Sequence, residues 1–390
     1  MKYWKISIID NTCEILNNKR VPISQKDRIS GIYPYYGASG IVDYIDKYIF
    51  DEELVLIGED GAKWGAFENS AFIASGKYWV NNHAHILKPN NEILINKFLV
   101  YFLNYSNLEK YITGATVKKL NQQKLKQIEI LLPPLKEQER IVGILDESFA
   151  NIDESIKILE QDLLNLDELM QSALQKTFNP LKDNAKENYQ LPQDWEWKSL
   201  GEICFITDGT HKTPNYIETG IPFLSVKNIS KGFFDLSDIK YISLEEHNKL
   251  IKRAKPEFGD ILICRIGTLG KAIKISLEFE FSIFVSLGLL KPKVKIISDY
   301  LVYFLNSYFI EGWINNNKVG GGTHTAKLNL NILEKCPIAL PSLKEQEQIA
   351  SYLDEFSLNI KDLKQNYQAQ IKNLQELKKS LLDKAFKGKL

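Results

Sequence analysis

Few residues in this 390-residue chain are of types and spacings that could do covalent chemistry. His83 and His85 form a close histidine pair, but no cysteine or acidic residue stands at ligand spacing, so no metal site is expected. Asn179-Pro180-Leu181 approaches the Asn/Asp-Pro-Pro-aromatic motif of adenine methyltransferases but lacks the second proline and the aromatic residue. Gly320-Gly321-Gly322 lacks the following Lys-Ser/Thr of a phosphate-binding loop and reads as a flexible loop, and no Gly-x-Gly-x-x-Gly follows a strand. Glu59-Asp60 puts two carboxylates in a turn, where such residues close backbone turns and can also accept from a cytosine amino group. Cys13, Cys204, Cys264 and Cys336 lie far apart and read as free thiols of a reducing compartment. No catalytic residue and no resident cofactor is expected.

What must position the remaining polar groups is a repeat. Residues 132–178 return as 340–386 at a constant shift of 208, from Leu132-Pro133-Pro134-Leu135-Lys136-Glu137-Gln138-Glu139 and Leu340-Pro341-Ser342-Leu343-Lys344-Glu345-Gln346-Glu347 to Phe178 and Phe386. In the first copy Leu145, Phe149, Ile152, Ile156, Leu159, Leu163, Leu166, Met170 and Ala173 alternate in steps of four and three, which predicts a long helix with a coiled-coil seam. In the second, Phe356, Ile360, Leu363, Tyr367, Gln370, Leu374, Leu377 and Leu381 repeat the pattern. Pro134 and the Ser342–Glu345 capping box start the helices, and Glu137, Glu139, Glu345 and Glu347 suit the positive end of the helix dipole. Two such helices in one chain most simply cover each other as an antiparallel pair. About 40 residues at 1.5 Å each would hold whatever they carry at most about 60 Å apart.

The segments before each helix share landmarks. Leu99–Asn104 recurs as Leu301–Asn306, and Gly114 and Lys119-Leu120-Asn121 recur as Gly322 and Lys327-Leu328-Asn329. Apolar runs at Leu54–Ile57, Tyr78–Val80, Ile261–Ile266 and Ile283–Val285 read as short strands, and 98–104 as a short helix. The fold class is therefore α+β, with two mixed α/β domains and two long helices that pair as an antiparallel coiled coil. The division is 1–131 first domain, 132–180 first repeat helix, 181–190 linker, 191–339 second domain and 340–390 second repeat helix.

Charge is zero overall but segregated. Residues 1–130 carry 16 Lys+Arg against 14 Asp+Glu, residues 197–338 carry 18 against 14, and the first repeat (135–176) carries 4 against 10. The two domains are mildly basic and the first helix is acidic, a pattern compatible with a nucleic-acid face on the domains but not proof of one. The opening Met1-Lys2-Tyr3-Trp4-Lys5 shows no secretory leader, and the apolar runs are too short to span a bilayer, so a cytoplasmic protein is expected.

Lys119-Leu120-Asn121 followed by Leu132–Val142 resembles the specificity (S) subunit of Type I restriction–modification enzymes. The stretch Leu191–Ile203, with Gly220-Ile221-Pro222-Phe223-Leu224, Gly259-Asp260-Ile261-Leu262 and Leu381-Leu382…Ala385-Phe386-Lys387-Gly388, is similar to the second target-recognition domain and closing helix of that family. Tyr35-Tyr36-Gly37-Ala38-Ser39-Gly40 and Ile57-Gly58-Glu59-Asp60-Gly61 resemble the first. The likeness spans nearly the whole chain; the abrupt start, with only Met1–Tyr3 before Trp4, is a departure. It implies a non-catalytic DNA-binding subunit whose two heads each read half of a bipartite asymmetric site. The helix pair would set the spacer and dock two methyltransferase (M) subunits, and two translocase–nuclease (R) subunits can join. S-adenosylmethionine, ATP and Mg would then be bound by partner subunits only.

Reading double-stranded DNA needs Arg/Lys and Asn/Gln for base edges and Lys/Ser/Thr for phosphates, carried on loops. The first head offers Tyr36, Ser39, Lys63, Lys77, Asn82, Lys118 and Lys119 in loops 26–39, 59–64, 77–83 and 118–119. The second offers His211, Lys212, Thr213, Lys227, Asn228, Arg265, Lys271, His324 and Lys327, and Arg265, isolated beside Gly267 at an apolar strand end, is the leading candidate for a base contact. Two rival readings remain. Methyl transfer by the chain alone would mark a self-contained methyltransferase or nuclease. Absence of salt-dependent DNA retention even with partners would mark a coiled-coil adaptor.

Overall fold

The computed structural model describes residues 4–178, 194–321 and 326–390. The linker 181–190, the Asn179-Pro180 stretch, Gly322 and His324 lie outside the described residues. The chain forms two compact units, one of Met1–Glu160 with Tyr367–Leu390 and one of Gln161–Asn366. Each contains one head and part of both repeat helices.

In the first unit, Leu54-Val55-Leu56-Ile57 is apolar at every position. A strand sends alternate side chains to opposite faces, so such a run must be covered on both sides. Leu54 and Leu56 enter a core with Phe50, Tyr78 and Val80, while Val55 and Ile57 enter another with Leu87, Phe98 and Leu99. The strand Leu54–Gly58 is central in an antiparallel sheet, between Ala71–Ala74 and Ala84–Pro89, with Cys13–Ile15 beyond. A second sheet orders Gly40–Ile45, Ser30–Gly37, Lys77–Val80 and Phe50–Asp51, so most of 26–39, expected as loop, is strand. The helix Asn96–Tyr105 buries Phe98, Leu99, Phe102 and Leu103.

The second unit repeats the plan. Ile261–Cys264 is central between Leu287–Pro292 and Ala272–Lys274, with Cys204–Asp208 at the edge. Ile261 and Ile263 face a core with Leu290 and Phe304, and Leu262 and Cys264 one with Leu224 and Ile283. The helix Ser298–Leu305 is followed by a further helix, Tyr308–Asn317, where the first head has only the short turn Glu109–Tyr111.

The repeat forms two helices of 44 residues each, Leu135–Phe178 and Leu343–Phe386. Each starts on a buried glutamine of the repeated Lys-Glu-Gln-Glu sequence. Gln138 accepts from Ile95 N–H at 2.9 Å and donates to the Ile93 and Pro133 carbonyls at 2.8 Å. Gln346 accepts from Ile297 N–H at 3.0 Å and donates to the Pro341 carbonyl at 2.8 Å. The helix ends close the cores. Phe386 lies with ring centroids 5.5 Å from Phe98, 5.4 Å from Phe102 and 5.0 Å from Tyr105 in the first unit. In the second, Phe178 lies 5.9 Å from Tyr300 and 5.2 Å from Phe304.

The helices run antiparallel. Within the first unit Arg140 donates to the Leu390 carbonyl at 3.2 Å and Asp153 pairs with Lys378, so an advance on one helix matches a retreat on the other; within the second, Asp167 pairs with Lys364. On the first helix Leu145, Ile152 and Leu166 are buried and Phe149, Ile156, Leu159 and Leu163 half-buried. On the second, Ile360 is buried and Phe356, Tyr367, Leu374 and Leu381 half-buried. Leu363 and Leu377, read from the sequence as seam residues, are instead exposed, at 41% and 45%. Half-buried Lys364, Ile371 and Lys378 stand one residue further along. The acidic first helix explains the displacement: a lysine lays its aliphatic stem along the seam and carries its ammonium to an aspartate, and Lys378 also lies 4.9 Å over the Phe149 ring.

Candidate nucleic-acid interface

At the end of the first head's central strand, Glu59 is a nearly buried carboxylate held by Arg20 and by Lys119 at 2.7 Å. Arg20 also donates to the carbonyls of Asn82 at 3.2 Å and Ala84 at 3.0 Å. Burial would raise the Glu59 pKa, but the Lys119 and Arg20 hydrogen bonds overcome it and hold the carboxyl below its usual range. His85 is buried beside it, and loss of solvation lowers its pKa, which keeps the ring neutral near pH 7. Its contacts assign the tautomer: Nε2–H donates to the Leu120 carbonyl at 2.6 Å and Nδ1 accepts from Asn17 at 2.8 Å.

Backbone bonds tie a loop to this cluster. Leu120 N–H donates to the Glu59 carbonyl at 2.8 Å, and Thr113 and Lys119 exchange bonds of 2.9 and 2.8 Å around the loop between them. The loop turns on Gly114, φ +94°, where a Cβ would meet the Val117 carbonyl oxygen at 2.1 Å. Only glycine fits there.

The second head builds the same corner with the charges inverted. Arg265 follows the central strand Ile261–Cys264 as Glu59 follows Leu54–Gly58, and its carbonyl accepts the matching backbone bond from Leu328 N–H at 2.9 Å. Its guanidinium pairs with buried Asp208 and donates to the Leu328 carbonyl at 2.9 Å. Asp208 also pairs with Arg253. Burial works against its charged form, yet the Arg253 hydrogen bond and the Arg265 charge hold its pKa low.

Arg265, the leading candidate for a base contact, is only 7% exposed and is engaged with Asp208 and with the Leu328 and Val285 carbonyls, so it sits in a buried ion pair rather than on an open loop. Isolation in an apolar strand marked a buried ion pair, because a guanidinium there must find an acid. Asn228 is likewise turned inward. It is buried, accepting from Ser225 N–H at 2.9 Å and donating to the Asp235 carbonyl at 3.0 Å, so it closes a turn. Tyr36 is half-buried, with its ring 5.7 Å from Phe72 and 5.5 Å from Tyr78. Lys119 is half-buried and paired to Glu59.

The remaining candidates, exposed except for the half-buried Lys271, fall into three hollows and some scattered positions. Lys63 and Lys118 line a cavity of about 600 Å³ with Gly61, Gly65, Gly114 and Thr116. Lys271 lines one of about 700 Å³ with Gly267, Thr268, Asn315 and Lys318. Each lies between the loop after the central strand and the glycine-bearing loop, so the two heads present equivalent clefts with different linings. His211 and Lys212 share a smaller hollow, about 390 Å³, with Lys249 and Arg253, neither of which was singled out in the sequence. Ser39, Asn82, Thr213, Lys227 and Lys327 are exposed outside these three linings, and Lys77 sits 4.8 Å over the Tyr48 ring. Among the described residues no group of three or more His, Cys, Asp or Glu could hold a metal ion, and the four cysteines are buried thiols pushed up to about 12 by desolvation.

The family model of the Type I restriction modification DNA specificity domain matches residues 1–163 and again 192–373. The chain belongs to this family. Members of the specificity family also stand out among its relatives. A Haemophilus influenzae protein described as a type I restriction enzyme specificity subunit is 32% identical over 90% of this chain and 87% of its own length. The EcoBI specificity subunit of Escherichia coli is 27% identical over 88% of this chain and 74% of its own. Among solved structures, a chain from a type I R-M system complex superposes with a TM-score of 0.74 at 20% identity, covering 100% of this chain and 99% of that one. The HsdS subunit from Thermoanaerobacter tengcongensis gives 0.59 at 20% identity, covering 99% and 97%.

Proposed function

We propose that this chain is the non-catalytic DNA-specificity subunit of a type I restriction–modification enzyme, and that each head reads one half of a bipartite, asymmetric site. The observation that carries the reading is the pair of equivalent strand-end clefts with unlike polar linings, Lys63 and Lys118 in one head, Thr268, Asn315 and Lys271 in the other. One frame with two linings suits two different half-sites. The helix pair acts as the spacer and docks two methyltransferase subunits. Leu169 and Leu377, equivalent across the repeat, are 47% and 45% exposed and give each of two identical partners the same apolar contact. Translocase–nuclease subunits join the complex where cleavage occurs. S-adenosylmethionine, ATP and Mg belong to those partners, and the complex works in the cytoplasm; no helix among the described residues is long and apolar enough to cross a membrane.

The test is to map methylated adenines made by the chain with its methyltransferase subunit, then exchange residues 197–338 for another head. One half of the methylated sequence should change and the other persist; two unchanged halves would overturn the reading. A heptad inserted after Leu159 and at the facing place on the second helix adds about 10 Å of helix, equivalent to about three base pairs at 3.4 Å each. The spacer should lengthen by that amount, and an unaltered spacer would remove the ruler role.

A further inference from the structure

Lys119 sits beside the first head's cleft, and its charge would suit a phosphate. Its partner is already in place, since its ammonium lies 2.7 Å from Glu59, which Arg20 also holds. The same segment is fixed by backbone bonds, from Leu120 to Glu59 and between Thr113 and Lys119. Lys118, next in the chain, is exposed and lines the cleft. Where Lys118 points is therefore set by how Lys119 is anchored. In the second head the equivalent place, Arg265, holds Leu328 through its own guanidinium, with Asp208 as the acid. The two corners hold the same segment with opposite charges. What they share is the anchor, not a surplus of positive charge offered to DNA.

We propose that Glu59 is a positioning residue for sequence discrimination by the first head: it holds Lys119 as an anchor, away from the DNA backbone, and so fixes Lys118 and its loop in the cleft. The proposal rests on the reading that the heads recognise DNA. It gives Glu59 two effects, ordering the loop and withdrawing one positive charge from non-specific binding. A phosphate contact by Lys119 would behave in the opposite way.

The experiment uses the full chain with its methyltransferase subunit and duplexes carrying the sequence that the complex methylates, intact or with single-base changes in either half. Glu59→Gln should lower discrimination in the first half by about tenfold, within the range that one mismatched pair normally costs. By freeing Lys119 it should also steepen the dependence of log affinity on log salt by about 0.9. Discrimination in the second half should hold, which shows that the second head is folded, and unchanged amide exchange across Asn96–Tyr105 shows the same for the first. Glu59→Asp keeps the charge and should leave the salt slope unchanged. Lys119→Gln, a mild change at a half-exposed side chain, should lower first-half discrimination without weakening all sequences alike. Uniform weakening with a slope shallower by about 0.9 and intact discrimination would make Lys119 a phosphate contact and overturn the proposal. So would first-half discrimination untouched by Glu59→Gln. A wild-type complex with no sequence preference at all would sink the DNA-recognition reading itself, and this proposal with it.

Discussion

At the scale of residues, the corner at the end of each central strand is an ion pair taken out of water, and such pairs are costly to break from one side. Asp208→Asn leaves Arg265 buried and uncompensated, and should destabilise the second head by about 3–5 kcal/mol. Thermal unfolding of the variant should show this as a lowered first transition. The acid response follows from the same groups. Glu59 and Asp208 both have folded pKa values held below the ordinary carboxylate range. The unfolded chain therefore binds more protons than the folded one as pH falls through that range. The stability they contribute is fully present above the unfolded carboxylate pKa, near 4, and should be lost as pH falls below it. Denaturant unfolding between pH 7 and pH 3 checks this, and Asp208→Asn should flatten the dependence for the second head. These pairs join residues 39 and 57 positions apart, Arg20 to Glu59 and Asp208 to Arg265. No local period encodes such a distance, which is why the sequence showed Arg265 as an odd cation and left its acid unnamed.

Elements were far more legible. The helices, the central strands and the shared segments carry their signal locally, in heptads, unbroken apolar runs and a repeated register. The second seam was the exception. The most apolar reading chose Leu363 and Leu377, but the facing helix is acidic, so Lys364 and Lys378 fit better against it than leucines would. A pattern read on one helix cannot weigh the charge of its partner. The register makes its own prediction. Asp153→Lys and Lys378→Asp should each lower stability slightly, and the double exchange should recover about 0.2–1 kcal/mol in a double-mutant cycle, the usual worth of an exposed pair. No coupling would mean that the two helices do not meet at that level. Replacing Ile152 and Leu163 by Asp should be harsher, loosening the seam and weakening methyltransferase co-purification.

For the molecule as a whole, the sequence drew boundaries where the landmarks change, between heads and helices. Contacts group each head with the start of one repeat helix and the end of the other. The reason is the pair Phe178 and Phe386. They look alike in the sequence because they end the same repeat, yet each closes the core of the head that its own helix does not start from. Phe386→Ala should therefore cost about 3–5 kcal/mol, felt in the first head, although that residue lies at the far end of the chain. Amide exchange across Asn96–Tyr105 should quicken while Ser298–Leu305 stays protected. Equal loss in both segments would argue against this closure.

Phe386 also carries a consequence for how the protein is made. Its ring partner Phe102 leaves the ribosome about 280 residues earlier, a delay of roughly 15–60 s at ordinary rates of synthesis. Throughout that interval the N-terminal head is a nascent fold with its closing side chain still untranslated. A chain stopped before residue 386 would leave the first head without the ring that packs on Phe98, Phe102 and Tyr105.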